Sequence, residues 1–396
     1  MHATRPVRQA EAYFGLYVWH ERVTITLYLN EQDEKYMRIA LSLAATGKGR
    51  TSPNPIVGAV IVLDDQIVGF GAHLKAGKPH AEVHALHMAA QEAKGSTLYV
   101  TLEPCAHYGK TPPCADAVIA AGVSRVVVAV EDPFSAVAGQ GIARMREAGL
   151  QVDVGCLSEE AEKQNAPFLH YARTGLPFVT LKIAATLDGM IATNEGDSFY
   201  VTNEQSRTLV HSLRDEVDAV CVGVNTVLQD NPHLTVRLRQ GGRNPVRVIV
   251  DTHLKTPLDA NVLSEEAPTF IFCAKEASPE QERLLMQKGV TIVRVEAVDG
   301  GIDLRAVMNY LSSRGLLHVL VEGGANIAGS LLQEQLVNRV WMFHAPKILG
   351  QGKSAIAFQT AQNRMRDAIL LTDIEHEMLG DDWLTIGTPI YPSRIL

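Results

Sequence analysis

At 396 residues and 43.1 kDa the chain exceeds what one hydrophobic core usually holds, so two domains of about 150 to 250 residues are expected. Its 46% hydrophobic and 20% charged composition, with 31 Gly and 18 Pro, is that of a globular chain and excludes disorder, collagen and coiled coil. With 36 Lys and Arg against 44 Asp and Glu, the formal net charge of −8 argues against a general nucleic-acid or anionic-membrane binder, so an anionic ligand must find a local cationic pocket.

Residues 1–30 carry Arg5 and Arg8, but the apolar stretch behind them is broken by His20, Glu21 and Arg22, which is not the core of a signal peptide. They are read as an N-terminal extension outside the fold. From Asp33 to Ala45 the apolar residues recur at helical spacing and stop at Gly47 and Gly49. Ile56 to Leu63 and Gln66 to Ala72 flank Asp64-Asp65, a hairpin signal. Helix Ala81 to Ala93, strand Thr97 to Leu102, helix Cys114 to Ala121, strand Arg125 to Val130, helix Gly141 to Ala148 and strand Gln151 to Val154 then alternate, which implies a three-layer α/β sandwich. Val118 to Val130 is the richest apolar run, yet it is short and holds Arg125; nothing approaches the roughly 18 residues of a membrane helix.

The polar stretch Ser158 to Asn165 and the residues Arg173 to Pro177 read as a junction, cut near residue 175. A second α/β series follows: strand Phe178 to Ile183, helix Glu204 to Glu216, strands Ala219 to Gly223, Val246 to Val250, Thr269 to Phe272 and Val290 to Val295, helix Leu304 to Ser313 and strand Leu317 to Val321. The domains expected are thus 31–175 and 176–396. Five cysteines, odd in number and sparse, fit a reducing cytoplasm better than a disulfide framework.

His80-Ala81-Glu82 at a helix start, followed by Pro104-Cys105 and Cys114, is the sharpest chemical signal. One imidazole and two thiolates make three ligands for Zn²⁺ and leave the fourth tetrahedral position to water, the layout of a catalytic site. Zinc brings the pKa of its water toward neutrality, and Glu82 is placed to accept that proton and pass it to a leaving amine. The bland alternative makes the three ligands unrelated core residues. His84 and His87, on the same helix face as His80, read as packing or supporting residues, because a fourth protein ligand would close the site.

The H-x-E and P-C signatures resemble the zinc-dependent cytidine deaminase-like family, with a departure: eight residues, Ala106 to Pro113, separate the cysteines where that family has two. Pro53-Asn54-Pro55 with Val57-Gly58, and the run Thr101 to Cys114, resemble the deaminase half of the bifunctional riboflavin-biosynthesis deaminase/reductase family. The resemblance implies a phosphorylated pyrimidine, 2,5-diamino-6-ribosylamino-4(3H)-pyrimidinone 5′-phosphate, and a substrate pocket of Asn54, His107, Lys110 and Asp132. Asn54 also fits an ordinary Asn-Pro turn.

Residues 176–396 show no metal-ligand spacing, no G-x-G-x-x-G and no P-loop. The turn Glu322-Gly323-Gly324-Ala325-Asn326, between a strand and a helix, suits a phosphate or is simply tight. Leu181 to Gly189, Gly196-Asp197-Ser198, Gly223 to Val227 and Asp230 to Arg237 resemble the reductase half of the same family. That resemblance implies a dihydrofolate reductase-like α/β domain using NADPH to reduce the ribosyl group to ribityl. It places Ala184, Tyr200, Thr226, Asp230, Gly323, Gly324, Ala325 and Asn326 on the cofactor. Lys182, Ser198, Arg214, Leu234, Arg237 and Glu322 fall on the substrate, the two Arg reading its phosphate. Lys182 and Asp188 orient the sugar or relay a proton, although Lys182 is equally open to a structural role.

The expectation is a cytoplasmic α/β enzyme with one zinc per chain and NADPH. It acts on a small molecule without nucleic acid or membrane, and the family implies a homo-oligomer. The alternatives are a nucleic-acid editing deaminase with an RNA-binding second domain and a structural zinc module joined to a nucleotide sensor.

Overall fold

The computed structural model describes residues 29–106, 113–134, 138–198, 200–298, 300–358 and 364–392. In the first half these form α1 (Glu31–Ala45), β1 (Gly58–Leu63), β2 (Gln66–Ala72), α2 (Ala81–Ala89), β3 (Thr97–Val100), α3 (Cys114–Ala120), β4 (Arg125–Val128), α4 (Gln140–Glu147), β5 (Gln151–Val154), α5 (Ser158–Gln164) and α6 (Ala166–Thr174). The sheet order is β2-β1-β3-β4-β5, with β1 antiparallel to both neighbours and the rest parallel. Asp64 and Asp65 both take positive φ, 48° and 59°, as the two-residue hairpin between β1 and β2 requires.

Glycines decide which helix covers which face. A Cβ on Gly58 would stand 1.9 Å from the Ala40 carbonyl of α1, whereas one on Gly69 or Gly71 would stand 2.3 or 2.4 Å from the carbonyl oxygens of α2. Gly58 pairs with Ala72 across the ladder and Gly71 with Ala59, so the two sets alternate along β2 and point to opposite faces. Helices α1 and α2 therefore sandwich the sheet, as expected. The start of α1 carries a reciprocal Asn30/Asp33 cap, and the Asp33 carboxylate is tied to Arg125 of β4 at 2.7 Å.

The second half comprises β6 (Phe178–Thr186), β7 (Met190–Ala192), α7 (Glu204–Glu216), β8 (Ala219–Gly223), α8 (Val224–Asp230), β9 (Val246–Val250), β10 (Thr269–Ala274), α9 (Pro279–Met286), β11 (Thr291–Val295), β12 (Ala297–Val298), β13 (Gly301–Ile302), α10 (Leu304–Ser313), β14 (His318–Val321), α11 (Ala325–Gln333), β15 (Arg339–Ala345), β16 (Lys353–Ser354), β17 (Leu370–Leu379) and β18 (Asp382–Ile390). Nine strands run β11-β10-β9-β8-β14-β6-β15-β18-β17, parallel as far as β15 and closed by the antiparallel β18 and β17.

Two expectations change. The stretch read as a junction, Ser158 to Asn165, is α5, and α6 continues it with Pro167 in its first turn before Gly175 ends it in the left-handed region. The β17–β18 hairpin was not foreseen.

The halves meet where the loop after α1 docks on the end of α7. Arg50 grips Asp215 with two hydrogen bonds of 3.0 and 2.9 Å, and Ser52 donates to Asp218 at 2.8 Å. Asp218 also accepts the amides of Leu317 and His318. Among the described residues no helix is long and apolar enough to cross a membrane.

Candidate active sites

His80 is the N-cap of α2, Cys105 follows β3, and Cys114 opens α3, so three element ends converge on one point. The ligand atoms of His80, Cys105 and Cys114 all lie within 4.8 Å of one another, and among the described residues they form the one such cluster. The His80 Nδ1 stands 3.8 Å from Cys105 Sγ and 3.3 Å from Cys114 Sγ. The Cys114 amide donates to Cys105 Sγ at 3.3 Å, and hydrogen bonds from Cys114 and His80 hold the Cys105 thiol well below its ordinary pKa.

Glu82, on the first turn of α2, is 3% exposed. Its Oε2 is buried without a hydrogen-bond partner, and burial lifts the carboxyl to about 6. An orphaned carboxylate oxygen beside an N,S,S donor set fits a zinc ion with an open position, since a buried oxygen otherwise keeps a partner. His84 and His87 are exposed and stand outside the cluster.

Asn54 Nδ2 lies 3.2 Å from Nε2 of His73, whose Nδ1 lies 3.1 Å from the Pro79 carbonyl. Donation from the ring to that carbonyl makes Nε2 the acceptor from Asn54, and burial, which pushes the His73 pKa down, favours this neutral tautomer. The ring packs edge-on against His80 at 5.2 Å. Asp132 accepts the Phe134 amide at 2.9 Å. His107 and Lys110 lie outside the described residues.

Sequence reasoning did not single out His73 or Glu103. Glu103, 4% exposed, accepts four amides: Asp132 and Gly139 on Oε2 at 3.1 and 3.0 Å, Gly141 and Ile142 on Oε1 at 2.8 and 3.1 Å. It ties the loop holding Asp132 and the start of α4 to the segment that delivers Cys105. Its place two residues before that ligand was the one available signal.

In the second half the turns 223–226 and 323–326 lie side by side, at the C-terminal ends of the adjacent parallel strands β8 and β14. Gly223 and Gly324 are the N-caps of α8 and α11. A Cβ on Gly323 would come within 3.3 Å of the Gly223 amide and 2.3 Å of Ile327, so only glycine keeps this cradle of N–H groups open. Such a cradle fits the phosphates of a dinucleotide. Thr226 stands beside Gly324, Asp230 ends α8, and Ser198 Oγ is 3.4 Å from the Asp230 carboxylate. Ala184 and Lys182 sit on β6. Tyr200 takes a positive φ of 48°, with Arg207 stacked 4.2 Å over its ring.

Arg214 on α7 holds Glu322 by paired hydrogen bonds of 2.5 and 2.8 Å, both side chains being about nine-tenths buried. Burial pushes the Glu322 carboxyl up, but Arg214 and Lys182 more than offset this and leave it below its ordinary pKa. Burial pushes the Lys182 ammonium down. His211, also unforeseen, is lowered to about 4 by burial and the nearby Arg214 and Arg237, and its Nδ1 accepts the Arg237 amide.

Three of the expected substrate-side residues have partners of their own in the fold. Arg214 is committed to Glu322 and the Thr235 carbonyl, so of the two arginines Arg237, whose side chain is exposed, is better placed to meet a phosphate. The Leu234 side chain is 3% exposed in the core with Leu213, Val220 and Ile249, so only its backbone could face a ligand. Asp188 is a loop clamp, taking Thr186 Oγ1 at 2.6 Å and the amides of Leu349 and Gly350.

A three-donor metal cluster with a buried carboxylate, on a five-stranded three-layer sandwich, joined to a nucleotide-cradling parallel sheet, defines a zinc deaminase fused to a reductase. Comparison with known proteins agrees with that class. Residues 30–130 match the cytidine and deoxycytidylate deaminase zinc-binding region, and residues 177–385 match the RibD C-terminal domain. The chain is 49% identical over 327 residues to the riboflavin biosynthesis protein RibD of Aquifex aeolicus, covering 82% of this chain and 90% of that one. It is 41% identical over 366 residues to the Escherichia coli protein, covering 89% and 98%. Among solved structures, Acinetobacter baumannii RibD superposes with a TM-score of 0.82 at 37% identity over 91% of this chain and 99% of that one. The Thermotoga maritima diaminohydroxyphosphoribosylaminopyrimidine deaminase/5-amino-6-(5-phosphoribosylamino)uracil reductase gives 0.79 at 36%, again over 91% and 99%.

The chain belongs to the RibD family of bifunctional riboflavin-biosynthesis enzymes, a zinc-dependent deaminase followed by an NADPH-dependent reductase. Nothing supports the alternative of an RNA-binding second domain.

Proposed function

We propose that residues 31–175 hydrolyse the exocyclic amine of 2,5-diamino-6-ribosylamino-4(3H)-pyrimidinone 5′-phosphate and that residues 176–396 reduce the ribosyl group of the product to ribityl. The observation that carries the reading is the convergence of His80, Cys105 and Cys114 beside the orphaned Glu82 Oε2. A bound zinc ion supplies a hydrolytic nucleophile at neutral pH. Glu82, buried beside the three donors with Oε2 unpartnered, takes up the proton released and returns it to the departing amine. Asn54, fixed through its Nδ2 by His73, keeps Oδ1 to accept from the pyrimidine. His107 and Lys110 are assigned to the same substrate by the family resemblance, and the loop of Asp132 is held by Glu103.

In the reductase half NADPH supplies the hydride. The amides of Gly323 to Asn326 and the turn at Thr226 hold its phosphates, with Ala184, Tyr200 and Asp230 around them. Lys182 orients the opening sugar and can give it a proton, because burial weakens its hold on that proton. Arg214 fixes Glu322 for the substrate hydroxyls, and Ser198, Arg237 and the Leu234 backbone line the phosphate side.

The net charge of −8 favours small-molecule chemistry without nucleic acid or membrane, and the five free cysteines suit the cytoplasm. A homo-oligomer is favoured by β17, an edge strand with Leu370 63% and Met378 68% exposed. The test is to incubate the full chain with the diaminopyrimidine phosphate, with and without NADPH. Ammonia should be released in both arms and the cofactor consumed only after it. Cofactor loss without ammonia release would refute the order of steps, and neither change would refute the substrate.

A further inference from the structure

Between the two halves lies a cavity of about 290 Å³, at the small end of the roughly 300–1,000 Å³ typical of ligand sites, which favour domain interfaces. It sits at the N-terminal ends of β6, β14 and β15, where Phe178, His318 and Arg339 begin their strands. The reductase residues Ala184 and Glu322 belong to the opposite, C-terminal ends of these strands, so this cavity is separate from the reductase site.

Most of its charged groups are held by neighbours, and Glu375 and Asp373 act on Arg339 only at a distance. Lys48 pairs with Glu216 at 3.8 Å and Lys163 with Glu375 at 3.6 Å, and Asp218 is taken by Ser52 and two amides. Arg339 stacks on Phe178 at 5.3 Å but makes no hydrogen bond or ion pair among the described residues, although it is partly buried. Two residues along the same strand, hence on the same face, Trp341 has a buried indole Nε1 without an acceptor. Across the cavity, Gln164 of α5 spends its Nε2 on the Leu41 carbonyl and leaves a buried Oε1 without a donor. Buried polar atoms of a folded protein are nearly always paired, and a guanidinium fork beside an N–H is the arrangement that receives an oxyanion.

We propose that this interdomain cavity is a binding site for a small oxyanion-bearing polyol, carboxylate or phosphate ester. Arg339 and Trp341 of the reductase half take the oxyanion, and Gln164 of the deaminase half takes a hydroxyl. Asn54 stands in the same wall, so occupancy would be felt at the deaminase pocket.

The chain has three tryptophans, so Trp19→Phe with Trp383→Phe leaves Trp341 as the sole indole fluorophore. Titrating this full-length variant with ribose 5-phosphate, and separately with gluconate, should change its emission saturably. The arm that saturates names the oxyanion. Arg339→Ala should weaken binding roughly 10- to 100-fold, the worth of a charge-assisted hydrogen bond. Gln164→Leu, which removes the Oε1 acceptor and leaves the strands untouched, should weaken it about 3- to 10-fold, the worth of a neutral hydrogen bond, and serves if Arg339→Ala fails to fold. No saturable change in either arm would mean that the cavity holds water only and would overturn the proposal. A signal that survives Arg339→Ala but disappears in Arg237→Ala or Lys110→Ala would overturn it too, because the fluorophore would then be reporting an active site.

Discussion

Glu103→Gln is the most informative single-atom change near the metal cluster, because it alters no ligand and no volume. The carboxylate serves four amides, two on each oxygen. The amide nitrogen of Gln has no lone pair to offer, so one of the two pairs, at Asp132/Gly139 or at Gly141/Ile142, loses its acceptor. Each buried amide left unmade costs about 1–3 kcal/mol, so the cost is about 2–6 kcal/mol, felt in the first half alone. Nor can α4 shift to relieve it, since Gly141 already lies so close that a Cβ there would stand 2.0 Å from the Pro104 carbonyl. Differential scanning calorimetry should show the deaminase transition lowered with the reductase transition in place. Steady-state ammonia release should show KM for the pyrimidine raised more than kcat falls, because Asp132 and its loop are positioned by Glu103 while Glu82 is not. If Glu103→Gln melts and turns over as the wild type does, the reasoning that Glu103 fixes the substrate loop is wrong.

Arg214→Ala should strand the buried Glu322 and destabilise the reductase half by roughly 3–5 kcal/mol, besides raising the reductase KM; an unchanged melting profile would contradict the pair. Because the folded Glu322 pKa lies below its ordinary 4.5, the pair's contribution is present above that value and is lost as pH falls through the folded one. Acid titration of the wild-type reductase transition should therefore show a step that Arg214→Ala lacks. Gly323→Ala should weaken NADPH binding about tenfold or more, read by calorimetric titration, with deamination untouched. A strong chelator should strip the metal, stop ammonia release and lower the deaminase transition while reduction of supplied deaminated substrate continues.

How far the sequence foretold this depends on what each residue acts through. Helices Glu204–Glu216 and Leu304–Ser313 were legible because a capping Asn203 or Asp303 precedes a clean amphipathic repeat. Helix α5 was not, since its run Ser-Glu-Glu-Ala-Glu-Lys-Gln buries one residue and reads as a polar linker. Strand β17 was missed for the converse reason: on an exposed edge its ten residues bury one, so nothing enforces a period of two. The metal donors were visible because His and Cys at element ends are chemically rare. Glu103 and His73 were hidden because they act on backbone amides, a carbonyl and an Asn that only the fold brings near. The Arg214–Glu322 pair, spanning 108 positions, is likewise a contact that only the fold brings about.

The most direct measurement is of the Glu82→Gln protein, assayed for zinc by atomic absorption and for ammonia release and NADPH oxidation in parallel. The site as drawn predicts one zinc per chain, ammonia release down by about 10²–10⁴ or more, and normal reduction of supplied deaminated substrate. Ammonia release at the wild-type rate from a zinc-loaded Glu82→Gln protein would contradict it.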